Sequence, residues 1–433
     1  MGEASAPFRP ALFEDAGLER RGGTLLLGGV PVSAIAAGAG TPAYVYNAGV
    51  IRRQYRRLAA ALAPVPHRIC FAVKANSNLA VLRVFRDLGA GADIVSGGEL
   101  RRALAAGFQA ERVVFSGVGK SPTELAAALV AGVGHIHLES SDELEKLGAI
   151  TERLGTTTAI GIRVNPDVSA ETHPYIATGQ GGIKFGVPFD QVLPLARAVH
   201  AHPRLRLDSI AMHIGSQILD PAPYREGVGR LLGLIRDIQA SGVDTLRHLD
   251  IGGGLGIRYR DEVPLDPARF AEAVLPLARE TGLTLVVEPG RFLVGSAGLL
   301  LTTVLSRKHS GGKDLVLVDA GMNDLVRPSH YMAYHDIVEL EAAGRPESVV
   351  DVVGPVCETG DFLARDRVLP GVRAGEGLAV LGAGAYGFVM SSTYNGRPRP
   401  AEVLVDEGRW GIVRERESIE SLFAGETAEP RWT

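Results

Sequence analysis

The sequence predicts an α/β fold: a (β/α)8 TIM-like barrel joined to a second, all-β domain. Three observations predict it. From about residue 67, short β-branched runs alternate with amphipathic stretches rich in Ala, Leu, Arg and Glu, the pattern of βαβ units. Eight such units spread over roughly 250 residues, the size of a closed barrel. After Arg291 the texture changes to strands separated by turns.

The barrel strands are read, in order, at HRICFAVKA, GADIVS, RVVFSG, HIHLES, TAIGIRV, LDSIAMHIG, LRHLDIGGG and LTLVVEPG. Each except the fifth is followed fairly directly by a helical pattern. Segments such as NLAVLRVFRDLGA, GELRRALAAGF, PTELAAALVAG and SDELEKLGAITERLG carry apolar residues at i, i+3, i+4 and i+7, one stripe per helix to face a sheet. Several begin at Ser, Thr or Asp and stop at Gly, as helix ends do. The fifth unit is interrupted by NPDVSAETHPYIATGQGGIKFGV before its helix FDQVLPLARAVHA. The length and glycine content of this loop, from Thr172 to Gly186, suggest closure over a substrate. The later strands are AGLLLTTVLSRKHS, KDLVLVDAG, HDIVELEAA, SVVDVVGPV, DFLARDRVLP, GLAVLGAGA and AEVLVDEGRWGIVRERE. In the first forty residues, TLLLGGV, with a single helical tendency in VSAIAAGAG, reads as a strand that joins the β domain rather than the barrel. The domain assignment is therefore 45–292 for the barrel, and 1–44 with 293–433 for the β domain.

Composition narrows the function. The chain has 433 residues, 46% hydrophobic and 22% charged, enough for two cored domains. Its net charge of -4 is dispersed, with no basic, aromatic-interleaved surface for nucleic acid. No stretch reaches the roughly 18 apolar residues of a spanning helix, and MGEASAPFRP lacks a signal pattern. These features read as a soluble cytoplasmic protein with a small-molecule partner and no membrane association. Its two cysteines, Cys70 and Cys357, form no disulfide framework and no metal-ligand pair.

Active residues of such barrels lie at the C-terminal strand ends, and four ends carry unusual side chains. In HRICFAVKA, alternation puts Cys70, Ala72 and Lys74 on one face, so Lys74 points inward at the upper rim. An inward lysine is depressed in pKa or covalently used, and Schiff-base chemistry wants both. A plain rim lysine reaching solvent is the alternative, and Cys70 reads as interior packing. The sixth strand brings His213 and Ser216, where His213 by itself is as well a satisfied structural histidine. The seventh ends in DIGGGLG, whose glycine N–H groups could cradle a phosphate at the usual phosphate corner of the fold or merely make a tight turn. The eighth ends in EPGR, bringing Glu288 and Arg291, or else a surface ion pair. An amine, an imidazole, a phosphate cradle and a carboxylate around one cavity are the fittings of pyridoxal phosphate: the lysine binds it, and a carboxylate, here Glu288, keeps the pyridine nitrogen protonated.

With these residues in place, the sequence resembles the barrel-type pyridoxal-phosphate decarboxylases, the family of diaminopimelate, ornithine and arginine decarboxylases. The fold they imply is the alanine-racemase-like barrel. The resemblance spans nearly the whole chain through FAVKANSN, ADIVSGGEL, THPYIATG with KFG, HIGSQI, DIGGGLGI, EPGR, RPSHYMAYHDI, CETGDFLARDR and GAGAYGFVMSSTYN, and is nearest to the diaminopimelate branch. It implies that Lys74 holds the cofactor, His213 stacks on its ring, and Asp93 supports the lysine side. Ser216, Gly253, Gly254, the turn of Glu288, Pro289, Gly290 and Arg291, and Tyr386 would bind the phosphate and pyridine parts. Cys357 would be the acid that protonates the product carbon, entering a neighbouring subunit's site with Glu358, which grips the distal amine. Arg291, Arg327 and Tyr331 match the residues that hold a distal carboxylate, beside Tyr386. A homodimer with shared sites, meso-diaminopimelate as substrate and L-lysine as product follow from the resemblance.

Local readings stand beside this group. Cys357 can be a small buried apolar residue, Arg327 and Tyr331 can be packing on one helical turn, and Asp361 can cap or pair locally. His135 with His137 and His200 with His202 lack a third ligand, so no metal is expected. A decarboxylase of another D-amino acid or of a carrier-bound substrate is one rival. A racemase of similar barrel is another, opposed by the CETGD motif, and a catalytically dead binding protein is a third, opposed by intact Lys74, Glu288 and Cys357.

Overall fold

The computed structural model describes residues 10–169 and 184–432. The chain divides into two compact units: Ile51–Ile257 with Glu262–Leu293, and the rest, which includes Arg258–Asp261 and everything from Val294 onward.

The first unit is a closed barrel of eight parallel strands: His67–Ala72, Gly91–Ile94, Val113–Phe115, His135–Leu138, Thr158–Asn165, Leu205–Met212, His248–Asp250 and Thr284–Val287. Pairing of Val287 with Ile69 closes the last strand onto the first. Every strand read from the sequence is present, because each is a short β-branched run, and five are followed by a helix with a side-chain cap. The caps are the expected polar side chains: Asn78, Ser96, Ser121, Ser140 and Asp266 each accept a first-turn N–H. Gly132, Gly155 and Gly282 end their helices in left-handed conformation. Cys70, buried among Val114 and Val286, fills the barrel interior as expected.

The structure corrects the sequence reading of several elements. The first strand stops at Ala72, and Lys74 lies on a 3-10 turn, Val73–Ala75, rather than on the strand. The eighth strand is followed only by Arg291–Val294, one helical turn. AEVLVDEGRWGIVRERE is two strands, Ala401–Asp406 and Arg409–Arg414, because Glu407 and Gly408 both adopt positive φ and turn the chain tightly. Of HDIVELEAA only Ile337–Glu339 is strand. The sequence loop from Thr172 lies outside the described residues up to position 183.

The second unit is mainly sheet. A nine-stranded assembly runs through Phe362–Pro370, Glu347–Val353, Lys313–Val318, Gly298–Ser310, Ala43–Asn47, Ala401–Asp406 and Arg409–Arg414, with Gly377–Val380 and Ile337–Glu339 branching from it. Ala43–Asn47, at the edge of the expected barrel, is a fully buried strand that the sequence reading passed over. The N-terminal arm makes its own three-stranded sheet, Leu18–Arg21, Thr24–Leu27 and Val30–Pro31, rather than one strand added to the large sheet. It still packs there: Leu25, Leu27 and Ile35 share a core with Val45, Leu299, Leu301 and Val403. Among the described residues no helix is long and apolar enough to cross a membrane.

Candidate active site

At the C-terminal mouth of the barrel, residues from seven of the eight strand ends converge around a cavity of about 320 Å³, the lower range of small-ligand sites. Lys74, Ser116, His137, Arg163, His213 and Glu288 line it, with Val118, Phe185 and Met212 as apolar wall. The 3-10 turn after the first strand aims the Lys74 amine at Asp93, which lies fully buried at the second strand's end; Nζ to Oδ2 is 2.6 Å. The other Asp93 oxygen has no hydrogen-bond partner among the described residues.

Asp250 and Glu288 form a hydrogen-bonded pair of buried carboxyls. Burial pushes both upward, and Glu288 well above the usual carboxylate range, helped by the negative charge of Asp250 and Asp93. Two such groups this close cannot both be ionised, so they share a proton. Ser116 Oγ approaches Glu288 at 3.5 Å and the His137 ring nitrogen at 3.2 Å. Asp250 also accepts the Gly252 N–H at 2.8 Å and leaves Oδ2 without a partner among the described residues.

His213 receives the Gly253 N–H on Nδ1 at 3.2 Å, which leaves its proton on Nε2. Burial, with the charges of Arg163 and Lys74, holds it well below the usual imidazole range, so the ring is neutral. The glycine run is required here by close backbone approach. A Cβ on Gly253 would meet the Glu288 carbonyl at 2.2 Å, and one on Gly252 would meet the Met212 carbonyl at 2.6 Å. Arg291, at the EPGR turn, donates to Ser216 Oγ at 3.0 Å. The Pro289 carbonyl accepts the Ala72 N–H at 3.2 Å, so the turn is tied to the end of the lysine strand.

The sequence reading missed Asp250, Ser116, His137 as a site residue, Arg163 and Glu139. Glu139 is a buried clamp: it accepts Arg163 at 2.9 Å, the Gly117 N–H at 3.1 Å and the Gly186 N–H at 2.8 Å, and the Arg163 guanidinium lies 4.8 Å over the Phe185 ring. Their one available signal was position, since each lies at or just beyond a strand end.

The β unit carries the remaining sequence-predicted residues. Arg327 and Tyr331 bracket one helical turn, Arg327–Tyr331, with Arg327 buried. Cys357 is exposed, not buried, on a loop where its N–H reaches Asn395 at 2.8 Å. Glu358 follows and bonds Tyr394. Asp361 acts locally: its two oxygens accept the Met322 and Val356 N–H groups, each at 2.6 Å. Tyr386 takes a positive φ of 56°. His135, facing the opposite barrel end from His137, and His248 both bond Asp208, at 2.6 and 2.8 Å.

Residues 48–295 match the pyridoxal-binding domain of the pyridoxal-dependent decarboxylases. The chain belongs to that family. It is 49% identical over 415 residues to a diaminopimelate decarboxylase of Pseudomonas aeruginosa, covering 95% of this chain and 99% of that protein. It is 46% identical to one of Vibrio cholerae, covering 93% and 96%. The crystal structure of diaminopimelate decarboxylase from Helicobacter pylori with L-lysine superposes with a TM-score of 0.88 at 38% identity, over 91% of this chain and 98% of that one. Pyridoxal phosphate is the family's cofactor, and the barrel mouth fits it. The Lys74 amine stands among three buried carboxyls, and among the described residues Asp93 and Asp250 each keep an oxygen with no hydrogen-bond partner. A cationic ring nitrogen would complete the Asp250–Glu288 pair.

Proposed function

We propose that the chain decarboxylates meso-2,6-diaminopimelate to L-lysine and carbon dioxide, the last step of lysine biosynthesis, with pyridoxal 5'-phosphate. The observation that carries this reading is the barrel-mouth cluster of Lys74, Asp93, Asp250 and Glu288 in a chain with near-full-length relatives named diaminopimelate decarboxylase. When bound, the cofactor supplies an electron sink for the breaking carbon–carbon bond. Lys74 would hold it, with Asp93 aiming its nitrogen. Glu288 would hold the proton on the ring nitrogen, and the neutral His213 offers an uncharged flat face to the ring. Ser216, Gly253, Gly254, Pro289, Gly290, Arg291 and Tyr386 would bind the phosphate and orient the group.

Arg291, Arg327 and Tyr331, with Tyr386, would hold the distal carboxylate and Glu358 the distal amine, while the exposed Cys357 thiol delivers the proton to the product carbon. Arginines at the distal end favour a substrate with a second carboxylate, whereas a diamine-forming enzyme needs an acidic pocket there. We read the active form as a cytoplasmic homodimer in which the β unit serves substrate binding and the Cys357 loop of one protomer serves the site of the other.

The test is carbon dioxide release by the cofactor-loaded protein, comparing meso-diaminopimelate with L-ornithine, D-ornithine and L-arginine. A strong preference for meso-diaminopimelate, with lysine as product, supports the reading. Turnover of another substrate in its place retains the cofactor chemistry and overturns the roles of Arg291, Arg327 and Tyr331.

A further inference from the structure

We infer that His335 is a positioning residue that sets the Arg327 guanidinium for the second carboxylate of the substrate; this rests on the reading of Arg327 given above. Arg327 opens a helix of five residues, too short to fix a long side chain through its own backbone. Its guanidinium nevertheless has a defined seat. It lies 4.6 Å over the ring of Tyr259, and NH1 donates to Nε2 of His335 at 2.9 Å.

His335 is itself fixed from several sides. Its ring is fully buried, and Nδ1 donates to the Leu381 carbonyl at 2.8 Å. A carbonyl only accepts, so the ring proton sits on Nδ1 and Nε2 presents its lone pair to the arginine. The His335 backbone carbonyl accepts the buried Arg367 at 2.8 Å. Tyr259, which stacks on the guanidinium, meets the imidazole edge-on with ring centroids 5.4 Å apart. The imidazole is thus a rigid acceptor that selects one rotamer of Arg327.

Orientation matters because a guanidinium binds a carboxylate through two parallel N–H donors in one plane. A guanidinium free to rotate loses that geometry and must be reordered at each binding event. The consequence is selective: loss of the His335 acceptor weakens ligands that carry the distal carboxylate and spares those that lack it.

The experiment uses cofactor-loaded protein and two ligands, meso-diaminopimelate, read by KM and kcat, and D-lysine, which lacks the second carboxylate, read by Kd from the change in cofactor absorption. His335→Asn keeps a donor for Leu381 but is too short to reach Arg327, whereas His335→Gln carries an acceptor near the Nε2 position. We expect His335→Asn to raise KM for meso-diaminopimelate roughly ten- to hundredfold with kcat nearly unchanged. D-lysine binding stays as in the wild type, and His335→Gln recovers most of the loss. Equal weakening of both ligands, or of neither, overturns the inference. Cofactor content and melting temperature check the fold; if His335→Asn does not fold, His335→Phe, which keeps the ring volume, is read in the same way. Arg327→Lys separates the two levels. If it leaves the preference for meso-diaminopimelate over D-lysine intact, the reading of Arg327 falls. If that preference drops in Arg327→Lys and survives in the His335 variants, only the positioning role falls.

Discussion

Lys74 sits where a strand gives way to a single 3-10 turn, and that change of direction carries its amine onto a fully buried aspartate. The pairing makes a residue-scale prediction. Borohydride reduction of the cofactor-loaded protein attaches a phosphopyridoxyl mass to the peptide containing Lys74. Lys74→Ala shows no such adduct there and loses activity on the order of a thousandfold or more; a label on another lysine displaces Lys74 from its role. Asp324, three residues before Arg327, makes a second prediction. Burial lifts its carboxyl to about 7, although it accepts the Gly321 N–H at 2.9 Å. Free aspartate titrates at roughly 4, so the folded protein takes up a proton between these values. The associated stability is full below roughly 4 and is lost as pH rises through about 7. Asp324→Asn removes this component, so urea denaturation at pH 5 and pH 8 gives a smaller fall for the variant, by about 2 kcal/mol. Identical slopes mean that Asp324 stays ionised in the fold.

Element by element, the barrel was legible because each unit carries a β-branched run, and most add an apolar helical stripe with a polar cap. Lys74, His213, the glycine run and EPGR were legible because a strand end is a position that sequence order alone defines. Ser116, His137, Arg163 and Glu139 were not, since their strand ends look ordinary until partners distant in sequence close around them, as Glu288 does on Ser116; Asp250, beside the legible glycine run, shows its part only through its contact with Glu288. The loop of Cys357 shows the same limit. Asp361 reads as a local capping residue in the sequence, and the structure gives it two backbone donors that hold the turn around Cys357 and Glu358. Asp361→Ala leaves both N–H groups without their acceptor, at about 1–3 kcal/mol each. The expected result is at least a tenfold lower kcat/KM with cofactor content unchanged; unchanged kcat/KM separates the turn from catalysis.

For the whole molecule, the proposal of shared sites predicts complementation between protomers. Lys74→Ala and Cys357→Ala proteins, each inactive, regain activity after subunit exchange, approaching a quarter of the wild-type rate if mixing is statistical and one intact site forms in each mixed dimer. Exchange verified by mass with no recovery shows that each protomer builds its site alone. The two units also explain why the ends of the chain resisted sequence reading. Ala43–Asn47 pairs in parallel with Ala401–Val405 and antiparallel to Gly298–Leu301, so one strand of the β unit is supplied from before the barrel begins.

The sequence by itself determined the (β/α)8 barrel, the all-β unit and the cofactor chemistry, because periodicity, caps and strand-end residues are encoded within a few neighbouring positions. Only the tertiary structure decided which groups tune that chemistry. Proton sharing by Asp250 and Glu288, the neutrality of His213 and the His335–Arg327 seat arise from burial and from contacts between residues far apart in the chain. Desolvation and hydrogen-bond geometry depend on what closes around a group in space, which no local pattern of residues records.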